Sequence, residues 1–355
     1  MVDAKKQWKA WVYLSPALVL LLVFTVWPII NTFHFAFLDG YNSLGSSGDG
    51  TYFFGIQNFV SAITQHRFIV CLRNTALLCV LTVPLSCILA LIIAVCLNSI
   101  VRFNRLLQTI YFLPYVTNSI AIGMVFTMMF NIVGLTPVTD YDTYVANIVA
   151  AAEKQGTEPH IRDLFLETVS VNEAGETIRS GYVADTWGVI NNLLTALKLD
   201  PIIWVNQGSS LTANYAVLVI YIVWNALPFK ILILLGGLQS VNKQYYDAAK
   251  IDGASRLTVF SRITVPLLSP MIAYVVITGF IGGFKEYTSI IGIYGENKGP
   301  AGDQTKRLDT IVGYIYDAIS GDKYGTASAA ALILFAIIFV VTMINMWVSS
   351  KKVHY

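Results

Sequence analysis

Six stretches of this chain are apolar over about the ~20 residues that an α-helix needs to cross a bilayer. They run from Trp11 to Phe35, Thr75 to Leu97, Leu107 to Phe130, Ala213 to Leu235, Met271 to Ile293 and Ala327 to Val348. A length of 355 residues would allow two soluble domains of roughly 150 residues each. The composition argues otherwise: 55% of residues are hydrophobic and only 12% charged, about half the charge of an ordinary soluble domain. The expected fold is therefore an all-α membrane protein of about six transmembrane helices. Pro28, Pro84 and Pro228 interrupt three of the runs. Such breaks are tolerated in membranes because neighbouring helices re-satisfy the freed carbonyls.

Lys5, Lys6 and Lys9 precede the first run, as in a secretory signal. The run is longer than the 7–15 residues of a signal core, and no A-x-A site closes it, so it reads as a retained helix. With the amino end inside, the short cytoplasmic segments hold those lysines, then Arg102 and Arg105, then Lys243, Lys250, Arg256 and Arg262, then Lys351 and Lys352. The external segments lean acidic, with Asp140, Asp142, Glu153, Glu158, Asp163, Glu167, Glu173, Glu176 and Asp185 after the third run. The excess of Lys and Arg on short inner loops fits six spans with both termini cytoplasmic.

The chain divides into 1–131 (tail and spans one to three), 132–212 (an extracytoplasmic insertion or cap) and 213–355 (spans four to six with the cytoplasmic loop 241–266). Within the insertion, apolar spacing predicts helices over Asp142–Lys154 and Pro159–Val169, and Ser170–Gly181 reads as a hairpin around Asn172-Glu173-Ala174-Gly175. The net charge of +2 and the scattered basic residues give no nucleic-acid footprint. Cys71, Cys79, Cys87 and Cys96 lack C-x-x-C spacing, and His34, His66, His160 and His354 are dispersed, so neither a metal site nor a catalytic group is expected.

The loop between the fourth and fifth runs carries more information. Asn242 is suited to cap a first short helix with Tyr245, Tyr246 and Ala249 on one face, and Gly253 to end it in the left-handed conformation. Ser255 is suited to cap a second, with Leu257, Phe260 and Ile263 on one side. Pro266 and Pro270 then start the fifth membrane helix, where a missing N–H costs nothing. Ala248 and Ala249 leave no bulk, so another backbone could approach. This describes either a docking knob or an ordinary interfacial linker, and physical chemistry alone leaves both open.

The same residues resemble the E-A-A-x3-G-x9-I-x-L-P signature of permeases in binding-protein-dependent ABC importers. Asp247 stands for Glu, followed by Ala248, Ala249, Gly253 and Ile263, with Val265 for Leu, then Pro266. The extended A-x-I-D-G-A-S form of the sugar-importing branch is similar to Ala249–Ser255, with Asp252 and Ala254 in place. Gly55–Phe59, Leu72–Thr75, Phe112–Pro114, Gly236–Ser240 and Phe284–Lys285 look like the same maltose-type or glycerol-phosphate-type branch. About Val133 to Asp185 has no such counterpart, although a maltose-type permease carries a larger inserted domain at that place.

The resemblance implies a transport subunit that is not itself an enzyme, in a bacterial cytoplasmic membrane. It implies a second permease subunit forming a heterodimer, two ATPase subunits, an extracytoplasmic solute-binding protein and a carbohydrate substrate. The chain has no G-x-x-x-x-G-K-[ST] loop, so ATP and Mg would sit on the partner ATPases. Tyr246, Asp247, Ala248, Ala249, Asp252, Gly253, Ala254, Phe260 and Pro266 would couple to them. For substrate, polar and aromatic side chains inside spans are the candidates: Asn118, Ser119, Tyr221, Trp224, Asn225, Lys285 and Glu286. The last two are expected roughly 20 Å along the fifth helix at 1.5 Å per residue. The rival class is a secondary transporter. It would be expected to show paired repeats and discontinuous helices, neither of which is visible in the sequence, and it would leave the loop unexplained.

Overall fold

The computed structural model describes residues 7–41, 53–99, 104–156, 164–171, 177–300, 303 and 305–352. Lys5, Lys6, Arg102, Glu158, His160, Asp163, Glu173, Glu176 and His354, and the expected hairpin turn at Asn172–Gly175, lie outside them.

The first described elements are α1 (Gln7–Leu21), a π turn at Leu22–Val26, and α2 (Trp27–Ala36). A two-stranded ribbon, β1 (Leu38–Asp39) with β2 (Phe53–Phe54), leads to α3 (Gln57–Thr64), α4 (His66–Ser99), α5 (Asn104–Val116) and α6 (Ser119–Phe130). The insertion holds β3 (Thr136–Val138), α7 (Tyr141–Gln155), β4 (Leu164–Val171), β5 (Thr177–Ala184) and α8 (Val189–Ala196). Then come α9 (Leu211–Ser240), α10 (Lys243–Ile251), α11 (Arg256–Val259), a π turn, α12 (Val265–Leu267) and α13 (Ser269–Gly283). The last elements are α14 (Thr288–Tyr294), α15 (Ile311–Ser320) and α16 (Tyr324–Lys352).

Among the described residues four helices are long and apolar enough to span a membrane, or up to six if each bent pair counts as one. The four are Trp11–Ala36, His66–Ser99, Leu211–Ser240 and Tyr324–Lys351. Pro84 and Pro228 sit inside uninterrupted helices.

The third and fifth runs depart from the sequence expectation. The third turns by 106° between Thr109–Val116 and Ser119–Phe130. Asn118 leaves the helical conformation, and its side chain accepts the amides of Ile120 (2.9 Å) and Ala121 (3.4 Å), so α6 starts with its own cap. The fifth run ends at Gly283 instead of continuing to Ile293. Tight turns close it, Lys285 N to Gly282 O at 2.9 Å and Glu286 N to Gly283 O at 3.3 Å. Discontinuous helices, absent from the sequence reading, are therefore present in both halves of the chain.

The insertion also differs in part. Helix α7 forms as expected, capped by Asp140, but the segment read as a Pro159–Val169 helix is strand from Leu164. Its alternating L-F-L-E-T-V-S-V pattern pairs antiparallel with β5, Leu164 opposite Ala184 through to Val171 opposite Thr177. The pairing spans the expected hairpin. The sheet order is β3-β5-β4.

Contacts group the described residues into two compact units: one takes those up to Cys79, Val276–Tyr287 and those from Asp309 to Lys352, the other those within Val80–Val275 and Thr288–Leu308. In the second unit, Ala90, Ala94 and Leu97 pack with Ile231, Leu234, Leu235 and Leu238, and with Leu268 and Val275. Lipid offers no hydrophobic contrast, so small residues that bring backbones close matter most. The crossing of α6 and α14 shows this at its tightest: a Cβ on Gly123 would fall 2.7 Å from the Gly292 Cα. In the first unit, Arg67 lies between Asp309 (2.6 Å) and Asp317. The Asn74 amide donates to the Asp309 carbonyl at 2.9 Å.

Candidate functional site

The loop of residues 241–266 is assembled from local rules. Asn242 accepts the Gln244 amide at 3.0 Å and starts α10. At its far end Gly253 has φ +68°, the Gly253 amide donates to Lys250 O (3.1 Å) and the Ala254 amide to Ala249 O (2.9 Å). These two bonds satisfy carbonyls that a helix end otherwise leaves bare. Ser255 then accepts the Thr258 amide at 3.2 Å and opens α11.

The second helix differs from expectation in one respect. It runs through the π turn Phe260–Thr264, in which the Val265 amide bonds Phe260 O, and on to Leu267. Pro266 therefore lies near the end of this approach helix, and Pro270, the second residue of α13, begins the membrane segment after a 69° bend. The wider π register just ahead of Pro266 absorbs its missing N–H.

The loop residues divide into a seated face and a free face. Ala249 is buried, while Tyr246, Ala254, Phe260 and Pro266 are half-buried, and the Tyr246 hydroxyl lies 3.4 Å from Thr264 Oγ1. Asp247, Ala248, Asp252 and Gly253 are exposed. Asp247 meets Lys250 at 3.3 Å, an exposed pair of the kind that adds little stability. The loop's most exposed apolar side chains are Ile251 (86%) and Leu257 (76%), on either side of Gly253. Neither is among the sequence-derived coupling residues. For Ile251 the signal is an apolar residue off the Tyr246–Ala249 face, which the helix has no internal reason to carry, whereas Leu257, expected on one side with Phe260 and Ile263, is exposed where those two are half-buried.

Inside the second unit four of the polar candidates come together. Tyr221 is fully buried and its hydroxyl donates to the Ser119 carbonyl, while Asn225 Nδ2 lies 3.4 Å from Ser119 Oγ. Asn118, next to Ser119, is the exposed cap of α6. Trp224 joins them through Phe126, whose ring centroid is 5.2 Å from its own and 5.0 Å from that of Tyr221. Lys285 and Glu286 belong to the first unit. They lie beyond the end of α13, not along it, where the Glu286 carboxylate accepts the Tyr287 amide at 3.1 Å and its carbonyl accepts Thr310 Oγ1 at 2.7 Å.

Lys230 is absent from the sequence-derived candidates, although a lysine inside a span is itself a signal. It is buried on α9, and its ammonium donates to Ser86 Oγ at 2.5 Å and Cys87 Sγ at 3.5 Å on α4.

The model of the family described as "binding-protein-dependent transport system inner membrane component" matches residues 83–354. The arabinooligosaccharides transport system permease protein of Bacillus subtilis is 26% identical, over 96% of this chain and 88% of that protein. The lactose transport system permease protein of Rhizobium radiobacter is 25% identical, over 94% and 91%. The trehalose/maltose transport system permease protein of Thermococcus litoralis is 24% identical, over 93% and 89%. A chain of a bacterial alginate ABC transporter, crystallised in complex with alginate pentasaccharide-bound periplasmic protein, shares the fold at TM-score 0.68, with 20% identity over 99% of this chain and 98% of that one. With the family model covering most of its length, this multi-pass membrane chain belongs to the binding-protein-dependent transport system inner membrane components, the permease subunits of ABC importers.

Proposed function

We propose that this permease imports a sugar or oligosaccharide presented by an extracytoplasmic binding protein. Its pathway is shared with a second permease subunit in a heterodimer and is driven by two ATPase subunits that hold ATP and Mg. The loop 241–266 transmits their motion. The observation that carries the coupling role is the pair Ile251 and Leu257, held out of the loop by a pre-ordered glycine cap. A rigid, small, apolar knob suits a cleft on a partner because little ordering entropy is lost on docking. The loop is cytoplasmic in this reading, as are both termini, which the basic inner segments support.

For the cargo, the reading rests on the oligosaccharide, lactose and trehalose/maltose permeases among the relatives. Asn118, Ser119, Trp224, Asn225, Lys285 and Glu286 are the contacts proposed, with Tyr221 holding Ser119 from behind. Aromatic faces and amide groups suit a ligand with apolar C–H faces ringed by hydroxyls. The insertion 132–212 serves as a platform for the binding protein.

The test is tracer uptake into proteoliposomes holding the complete transporter, with the binding protein supplied outside and ATP inside. A panel of oligosaccharides, amino acids and phosphate serves as cargo. ATP-dependent accumulation of an oligosaccharide is expected. Accumulation driven by a proton or sodium gradient without ATP would identify a secondary transporter instead.

A further inference from the structure

Helix α8 carries an apolar stripe that no other described part of the chain covers. Val189, Leu193 and Leu197, spaced one turn apart, are each between 57% and 62% exposed. The opposite side is seated by Asn191, which is buried and accepts the Ile202 amide (3.1 Å) and the Trp204 indole N–H (2.9 Å) while donating to Ile202 O (2.9 Å). A third side presents Asn192 and Thr195. The helix contains no charged residue. Its three faces thus suit protein, water and something apolar.

Two asparagines fix its depth. The Trp204 carbonyl accepts Asn214 Nδ2 at 2.6 Å, and Asn214 lies in the first turn of the spanning helix α9. Gly188, which caps α8, abuts the end of α6: a Cβ there would come 2.3 Å from Asn131 O and 2.7 Å from Met129 O. The stripe therefore starts at the end of α6, a helix whose Met124, Val125 and Met128 are themselves exposed, and stays level with the start of a membrane span. Trp187 and Trp204 flank it, and Lys198 follows with an exposed side chain. Tryptophan and lysine at that level are the residues of a membrane–water boundary.

We infer that α8 is an interfacial helix, lying on the bilayer with Val189, Leu193 and Leu197 in the headgroup–acyl boundary of the extracytoplasmic leaflet. It ties the insertion to the membrane surface. The leaflet rests on the orientation proposed above, whereas the depth does not.

The experiment places a single nitroxide at Leu193→Cys, Leu197→Cys or Asn192→Cys in a Cys96→Ala background. It uses the complete transporter in nanodiscs, and the unsubstituted background protein gives the residual signal. Collision rates with oxygen, which concentrates in lipid, and with a water-soluble nickel chelate are compared. Positions 193 and 197 are expected to favour oxygen several-fold and position 192 the chelate. Preference for the chelate at 193 and 197 would place the stripe in water. Protection from both reagents would mean a partner protein covers it. Either result overturns the inference without touching the importer reading.

Discussion

The Ala254 amide donates to the Ala249 carbonyl at 2.9 Å, closing the end of α10 around Gly253 at φ +68°. Apart from its chain neighbours, no atom of the described residues lies within 4 Å of where a Gly253 Cβ would stand. Within this chain a substitution there acts through backbone conformation, about 1–2 kcal/mol against the left-handed state for an L-residue. Gly253→Val is expected to reorient α11 relative to α10, cutting uptake about tenfold or more for a ~1.4 kcal/mol loss. Binding-protein docking should persist. Uptake and docking measured on the same proteoliposomes check this, and unchanged uptake would count against a rigid cap.

The buried Lys230 makes a second, asymmetric expectation. Ser86→Ala removes a charge-assisted acceptor and should cost about 1.5–3 kcal/mol, seen as a lower Tm in detergent. Lys230→Met keeps the volume and removes the charge, so its Tm should equal or exceed that of the parent. If Lys230→Met is stable yet transports poorly, the ammonium acts on the pathway and not on stability.

Much of this was legible in the chain itself. Membrane runs are legible because hydropathy sums over twenty residues, and the loop caps because Asn242, Gly253 and Ser255 each suit one backbone role. The break at Asn118 was hidden because hydropathy carries no direction: Leu107–Phe130 stays apolar whether or not the helix turns by 106°. The local signal was a Thr117-Asn118-Ser119 triplet, rich in capping residues, shortly after Pro114. Gly282-Gly283 marks the other break in the same way. Strand β4 departs from the helix expected there because spacing of three or four and spacing of two overlap in a short apolar segment, and the pairing with β5 decides between them. Ile251 and Leu257 are legible only once the seated face of the loop is known.

Arg67 supplies a ranked expectation. Asp309 is 1% exposed, caps Thr310 N at 2.9 Å and meets Arg67 at 2.6 Å, whereas Asp317 is considerably more open. Asp309→Ala should therefore cost more than Asp317→Ala, on the order of 2 kcal/mol after allowing for the exposure of Arg67. Thermal unfolding of the two variants gives the order, and equal or reversed shifts would contradict it.

Tyr221→Phe leaves the half-buried Ser119 carbonyl without its hydroxyl partner. The expected cost is about 0.5–1.5 kcal/mol of stability, with apparent substrate affinity unchanged. Asn225→Ala and Glu286→Ala should instead weaken uptake affinity. A Tyr221→Phe variant of normal Tm with weakened affinity would make Tyr221 a direct substrate contact.

The coupling claim is tested most directly by co-purifying the ATPase subunits with a permease carrying Ile251→Asp and Leu257→Asp. Both side chains point away from the fold, so Tm should hold while a charge is placed in the docking surface. The expected result is loss of the ATPase subunits from the purified complex together with loss of ATP-driven uptake. Full ATPase retention with normal uptake would contradict the assignment of the 241–266 loop as the coupling element.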